Sequence, residues 1–310
     1  MKKWILWLVV AIPVLVWGGL SLYPNIWWVE NIIAFPALFL AYYVLASCLL
    51  LFLKSWAHLV VSVIAMSVYY MLTLPSTTLH RHQCDRPVSI VQFNLYYENQ
   101  DPNAFINYLM AHPSDLVVMQ EVAPEIGEKL KLLGDLYPYQ YGGQEGVGYP
   151  SSQMILSRHP LEEMSVYTTP DRQHVISGSW KLSPGRQVHL LTAHPPSPRS
   201  LELWHRRNAL ISTVERMVES YSSDEMLIVG DFNLSATSIR YAKLFPGFDS
   251  AAVASWPNWN HMFTTPAFTM IGIDHLWIKS QKTGWRICSR STRESVSGSD
   301  HKAVKTIIGY

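Results

Sequence analysis

The stretch Glu225-Met226-Leu227-Ile228-Val229-Gly230-Asp231-Phe232-Asn233 decides the reading of this chain. Its first part is short, apolar and closed by a glycine, the pattern of a buried strand that stops at a turn. Asp231 and Asn233 follow two residues apart, so both side chains point the same way into a cleft. A carboxylate there can take a proton from water, and a carboxamide can donate to a phosphoryl oxygen. Taken alone, the tetrapeptide reads better as an Asx turn ending a strand. Matching fragments elsewhere change that balance.

Five further fragments carry hydrolytic residue types at strand ends. They are Asn94 in Gln92-Phe93-Asn94-Leu95, Glu121 in Met119-Gln120-Glu121-Val122 and His194 in Leu191-Thr192-Ala193-His194-Pro195. The last two are Asp274 in Gly272-Ile273-Asp274-His275 and the run Ser299-Asp300-His301. Around them the sequence predicts strands at 87–94, 115–121, 153–157, 175–182, 187–192, 273–279, 284–288 and 303–308. The strands at 175–182 and 187–192 pair across a turn at Pro184-Gly185. Helices are predicted at 101–112, with proline in the first position, at 124–133 and at 199–221. In the last, Leu201, Trp204, Leu210, Val214 and Met217 recur at helical spacing and read as core. Many strands adjoin other strands, which implies an α/β (α+β) domain of mixed sheets with helices outside them.

The chain has 310 residues, is 49% hydrophobic and only 15% charged. The excess of apolar residues is concentrated at the N-terminus, where Glu30 and Lys54 are the only charges from Trp4 to Leu74. Three apolar stretches, at about 4–20, 32–53 and 56–74, each approach the length that crosses a hydrocarbon core. Trp4, Trp7, Trp27, Trp28 and Trp56 lie near their ends, where aromatic belts form. Met1-Lys2-Lys3 before an apolar run also fits a signal peptide, but no small-x-small cleavage site follows cleanly and two more stretches come next. The expected organisation is a membrane domain over 1–75 with three transmembrane helices, a polar linker over 76–86 and a catalytic domain over 87–310. Lys2 and Lys3 before the first span and Lys54 between the second and third place those positions in the cytoplasm. The catalytic domain then faces the periplasm or cell exterior, although Arg81 and Arg86 weigh the other way. Cys84 and Cys288 fall in that domain, where an oxidising compartment permits a disulfide and two unpaired thiols are the alternative. From Arg86 onward 20 Lys and Arg face 21 Asp and Glu, so there is no basic footprint for tight non-specific nucleic-acid binding.

Over about residues 87–310 the six fragments, in order and spacing, resemble the endonuclease/exonuclease/phosphatase (DNase I-like) superfamily. The stretch His194-Pro195-Pro196 before an Arg-rich helix start is similar to its bacterial membrane-anchored branch. The resemblance implies a four-layer α-β-β-α sandwich of two mixed sheets. It also implies that Glu121 is the main metal ligand, with Asn94 beside it and Asp300 close by. Such oxygen ligands suit Mg²⁺ (or Mn²⁺). By the same resemblance Asp231 orients or deprotonates the attacking water and Asn233 holds a phosphate oxygen. His301, oriented by Asp274, stabilises the transition state, and His194 contacts phosphate or assists the leaving oxygen. Two departures stand out. Tyr96 occupies a position that is acidic in some nucleases, which counts against a second metal. No carboxylate stands at Ser151-Ser152-Gln153 to pair with His194 as in the secreted DNases. His275 and His205 read as packing and surface residues.

The leading expectation is a membrane-anchored, Mg²⁺-dependent phosphodiesterase or phosphatase acting outside the cytoplasm, with a lipid head group as substrate and the bilayer as its partner; no protein partner is expected. Tethering at the bilayer raises the effective concentration of such a substrate. The alternatives are an extracytoplasmic endonuclease or exonuclease acting on nucleic acid, and a catalytically inactive membrane-bound binding module. Specificity resides in loops such as Tyr137–Pro150 and Ser255–Met270.

Overall fold

In a computed structural model, residues 3–73, 78–81, 83–99, 101–143, 152–183, 186–221, 223–259, 265–282, 284–293 and 296–309 are described. Among these, two mixed sheets stack face to face. The first contains β1 (Thr78–His80), β2 (Val88–Asn94), β3 (Leu116–Gln120), β4 (Tyr139–Gly142), β5 (Gln153–Ser157), β12 (Arg286–Arg293) and β13 (Ala303–Gly309), in the order β1-β12-β13-β2-β3-β5-β4. The second contains β6 (Leu161–Thr168), β7 (His174–Ser183), β8 (Arg186–Ala193), β9 (Glu225–Asp231), β10 (Asp249–Ser250) and β11 (Asp274–Ser280), in the order β10-β11-β9-β8-β7-β6.

Strand alternation builds the layers. Ile90 of β2 and Leu227 of β9 point between the sheets, where they join Val118, Ile155, Trp180 and Leu276. Their neighbours Val91 and Ile228 point outward. Val91 and Phe93 pack under α5 (Pro102–Ala111) and α6 (Pro124–Lys131), against Phe105, Leu109 and Leu130. Ile228 and Leu191 pack under α7 (Leu201–Ser220), against Leu210 and Val214. The result is the expected four-layer α-β-β-α sandwich. Asp101 and Ser200 cap α5 and α7 by accepting bonds from Ala104 N and Leu203 N. The α7 stripe is core only in part: Leu201, expected inside, opens the first turn of α7 and is 51% exposed.

The N-terminal segment forms α1 (Lys3–Ser21), α2 (Trp27–Ile33), α3 (Pro36–Phe52) and α4 (Trp56–Leu72). The stretch expected as one span over 32–53 is broken. Phe35 precedes Pro36, which disfavours helical backbone at Phe35 (φ −114°, ψ 75°), so α2 and α3 meet at 57°. Among the described residues, only α1 is by itself long and apolar enough to cross a membrane; α2 and α3 reach that length as a bent pair, and α4 has 17 residues. Leu6, Val10, Tyr43, Leu50 and Tyr69 form a shared core among these helices.

The stretch expected as linker is not free chain. It contributes β1, antiparallel to β12, and Cys84, which forms a disulfide with Cys288 across Cα atoms 6.0 Å apart. The predicted Pro184-Gly185 turn, Lys2, Ser151, and residues 144–150 and 260–264 of the two specificity loops lie outside the described residues.

Candidate active site

Strand pairing brings the six fragments to one end of the sandwich. β2 and β3 run parallel with Asn94 beside Gln120, so Glu121 emerges next to Asn94. β8 and β9 run parallel, which sets His194 near Asp231. β9 and β11 run antiparallel with Asp231 opposite Asp274. Gly230 is required at this crossing, because a Cβ there would collide with the Ala193 carbonyl oxygen. Ser299 Oγ donates to the Asn94 carbonyl at 2.7 Å and accepts from His301 N at 3.0 Å, which pins the Ser-Asp-His run to the end of β2.

Three residues here, Tyr96 (φ 62°), Glu121 (φ 53°) and Asn233 (φ 48°), adopt left-handed backbone that side chains other than glycine rarely take. Such strain collects where geometry serves chemistry. The Asx turn that the sequence admits is present, since Asn233 N donates to Asp231 Oδ1 at 2.9 Å. The turn therefore shapes the site and does not compete with it. Asn233 Nδ2 also donates to the Pro195 carbonyl at 3.0 Å, which fixes the carboxamide.

Asn94 is fully buried and its Nδ2 donates to Glu121 Oε1 at 2.9 Å and to Asp231 Oδ2 at 3.0 Å. His194 Nε2 lies 3.6 Å from Glu121 Oε1 and 3.5 Å from Asp231 Oδ2. His301 Nδ1 lies 2.8 Å from Asp274 Oδ2, and its Nε2 lies 3.7 Å from Asp231 Oδ2. The structure thus joins Asn94, Glu121, His194, Asp231, Asp274 and His301 directly. Asp300 stands at the rim, where its Oδ2 accepts from Trp256 Nε1 at 2.9 Å. The carboxylate absent from the Ser151-Ser152-Gln153 fragment is not replaced there; His194 faces Glu121 and Asp231 instead.

These contacts set the charges. Burial opposes ionisation of Asp231, but the His301 charge and the bond from His194 outweigh it and hold the carboxyl at about 2. Burial would lower His301, yet Asp274 and Asp231 beside it raise it to about 10. Burial likewise works against charge on His194, while its bond to Asp231 and the nearby Glu121 raise it. His301 is therefore a cation at neutral pH and His194 is shifted toward the cationic form, and a protonated imidazole does not ligate a metal. That leaves the oxygens. Side-chain oxygens and nitrogens of Glu121, His194 and Asp231, and of Asp231, Asp274 and His301, gather within 4.8 Å of one another. Among the described residues no lysine or arginine pairs with Glu121, whose side chain is 19% exposed. A part-open carboxylate beside the Asp231 carboxylate and the Asn94 carboxamide, with no lysine or arginine on it, fits a divalent cation.

Sequence reasoning missed three supports. Arg207 is buried in α7; its Nη1 donates to the Asn233 carbonyl at 3.1 Å and its Nη2 to both carboxylate oxygens of Glu30 at 2.8 Å. Trp204 Nε1 also donates to Glu30 Oε2, at 2.6 Å. Glu30 belongs to α2, so the lone acid of the apolar segment reaches the site. Asn258 is buried and clasps the Ser-Asp-His run: its N donates to the Asp300 carbonyl at 2.7 Å and its Nδ2 to the Ser299 carbonyl at 3.2 Å. Its position in a polar loop gave no periodic signal. Trp256, placed in that loop, proves to hold Asp300.

His275 and His205 fall outside the site as expected. His205 is exposed on α7. His275 is buried and bonds the Leu234 carbonyl through Nε2 at 2.7 Å. Burial holds it at about 4, hence neutral. Because the unfolded histidine titrates near 6.5, the unfolded chain binds more protons between those values. Its contribution is full above about pH 6.5 and is lost as pH falls toward 4, by about 2–3 kcal/mol at pH 4.5. The drop in unfolding midpoint between pH 7 and 4.5 is expected to be smaller in His275→Gln than in the native chain. An equal drop in both would refute this.

The profile of the Endonuclease/Exonuclease/phosphatase family matches residues 91–301. No curated protein matches by sequence. Among solved structures, TDP2 of D. rerio complexed with a single-strand DNA product is similar at 19% identity and TM-score 0.60, covering 73% of this chain and 100% of that one. Sphingomyelinase C of Streptomyces griseocarneus is similar at 16% identity and TM-score 0.55, covering 73% and 100%. Beta toxin of Staphylococcus aureus with bound magnesium ions is similar at 16% identity and TM-score 0.56, covering 71% and 98%.

Proposed function

Because this chain belongs to the Endonuclease/Exonuclease/phosphatase family, and is thus a metal-dependent phosphoester hydrolase, we propose that it is a membrane-anchored phosphodiesterase or phosphatase that uses Mg²⁺ (or Mn²⁺) outside the cytoplasm. One observation carries the catalytic part: Asn94, Glu121, His194, Asp231, Asp274 and His301 converge from six separate strand ends into one bonded cluster.

Glu121 and Asn94, with Asp300 at the rim, would hold the ion. When bound it neutralises charge that builds on the phosphoryl oxygens. Asp231 orients the attacking water; held at about 2, it is a weak base that takes the proton only as the new oxygen–phosphorus bond forms. Asn233 holds a phosphate oxygen through its carboxamide. The His301 cation stabilises the charge of the five-coordinate phosphorus, and Asp274 keeps it oriented and protonated. His194, whose proton affinity is raised by Asp231 and Glu121, contacts phosphate or protonates the leaving oxygen.

The anchor reading is supported by α1 and by the apolar side chains that α1, α3 and α4 leave in the open, among them Leu15, Leu38, Leu45, Phe52, Ile64 and Met71. An exposed apolar surface of that extent calls for a covering phase. The Cys84–Cys288 disulfide supports an oxidising compartment for the catalytic domain. A lipid head group is favoured as substrate by the anchor and by the near-neutral charge of the domain.

The test uses the full chain in detergent with Mg²⁺, offered phospholipid vesicles, plasmid DNA and bis-p-nitrophenyl phosphate. Hydrolysis of phospholipid and of the soluble ester is expected, abolished by EDTA and restored by Mg²⁺. Preferential cleavage of DNA would make the chain a nuclease instead. No metal-dependent hydrolysis of any of the three would overturn the proposal.

A further inference from the structure

Beside the Gly-Asp-Phe-Asn turn lies a cleft of about 260 Å³. Its apolar lining comes from Ala34 and Phe35 of the α2–α3 elbow on one side, and from Pro198, Trp256, Ile271 and Ile273 on the other. Asn233, assigned above to phosphate, also lines it. Two connections hold the elbow against the catalytic residues. The Phe35 and Trp256 rings lie 6.0 Å apart, and Trp256 bonds Asp300. Glu30 pairs with Arg207, which bonds the Asn233 carbonyl.

The apolar lining continues away from the site. Phe35 and Ile271 also border a narrow neck, and Ala37 and Phe268 border both that neck and a larger groove. The groove, of about 780 Å³, runs between α3 and α4 along Ala41, Val44 and Met66. Apolar space thus leads from a phosphate-handling side chain toward the exposed apolar faces of the N-terminal helices. The cleft is also lined by Asn31, Ser197, Arg199, Ser235 and the Glu30–Arg207 pair, so a polar head and an apolar tail both find contacts there.

We infer that this cleft is a subsite for the hydrocarbon chain of an amphiphilic phosphoester whose phosphate sits at Asn233. The inference rests on the phosphoester-hydrolase reading and adds to it the part of the substrate that does not react. Specificity then comes partly from the N-terminal segment, because Ala34 and Phe35 build the wall that meets the chain.

Binding of hexylphosphonate and of methylphosphonate to the full chain with Mg²⁺, followed by calorimetry, tests it. Each methylene withdrawn from water strengthens binding about fourfold, so the hexyl compound is expected to bind at least about tenfold more tightly. Ala34→Trp fills the cleft and should cut that preference below about threefold. The methylphosphonate affinity of the variant reports whether it has folded. Equal affinities in the native chain, or a preference unchanged in Ala34→Trp, would overturn the subsite. If bis-p-nitrophenyl phosphate is hydrolysed but chain length does not matter, the subsite alone falls. If chain length matters but no ester is hydrolysed, the hydrolase reading falls and an apolar-chain site remains.

Discussion

His301→Ala lowers kcat on bis-p-nitrophenyl phosphate by about 10³-fold. The ring is a cation that Asp274 orients and Asp231 faces, with Nδ1 on Asp274 at 2.8 Å and Nε2 near Asp231 at 3.7 Å. Its charge is present before substrate arrives, so its stabilising effect requires no proton pickup during the reaction. Removing one such preorganised donor costs about 10²–10³ in other hydrolases, and loss of a proton-transferring group costs up to about 10⁴. Asp274→Asn should cost less, because the imidazole stays in place while its largest source of raised proton affinity is weakened. Steady-state kinetics at saturating Mg²⁺, run well below the unfolding midpoint of each variant, give the values, because breaking the buried His301–Asp274 pair also lowers that midpoint. A kcat within tenfold of native would remove His301 from the mechanism.

Glu30→Ala destabilises the full chain by about 3–5 kcal/mol, the cost of leaving a buried charge without its partner. The Arg207 side chain is 2% exposed and that of Glu30 9%, so water cannot substitute for the lost carboxylate. Burial pulls the guanidinium below its ordinary value, and Glu30 is the group that counters this. Trp204 loses an acceptor as well. Glu30→Ala with Arg207→Met should be less destabilised than the sum of the two single changes, because the double variant buries no orphan charge. Thermal or denaturant unfolding in detergent measures both. A loss under about 1 kcal/mol in Glu30→Ala would mean that the pair is open to solvent.

The sequence exposed the site more fully than the frame that supports it, and the reason is local. Asn94, Glu121, His194, Asp231, Asp274 and His301 each punctuate an apolar run, so each is visible without knowledge of what it touches. Glu30 and Arg207 lie 177 residues apart, so nothing local links one to the other. By sequence Glu30 falls in a short connection between apolar stretches, although it folds into α2, and Arg207 looks like one of several basic residues on a helix. Only their pairing gives them meaning. β6 was invisible for another reason: its burial follows no period of two, so alternation could not reveal it. Leu201 shows the opposite failure. Helical spacing placed it on the core stripe, but as the first residue of α7 it stays 51% exposed.

β1 has a consequence for where this chain can be divided. Composition changes near residue 87, which invites a cut there. Yet Thr78, Leu79 and His80 occupy the open side of β12 opposite Ser291, Arg290 and Ser289, and Arg81 N donates to the Cys288 carbonyl at 2.8 Å. A fragment that starts at residue 87 would present those β12 amides and carbonyls to solvent as an unprotected sheet edge, a template for self-association. It would also leave Cys288 as a free thiol. The short strand acts as a lid on the sheet, and the chain resists aggregation only while that lid stays attached.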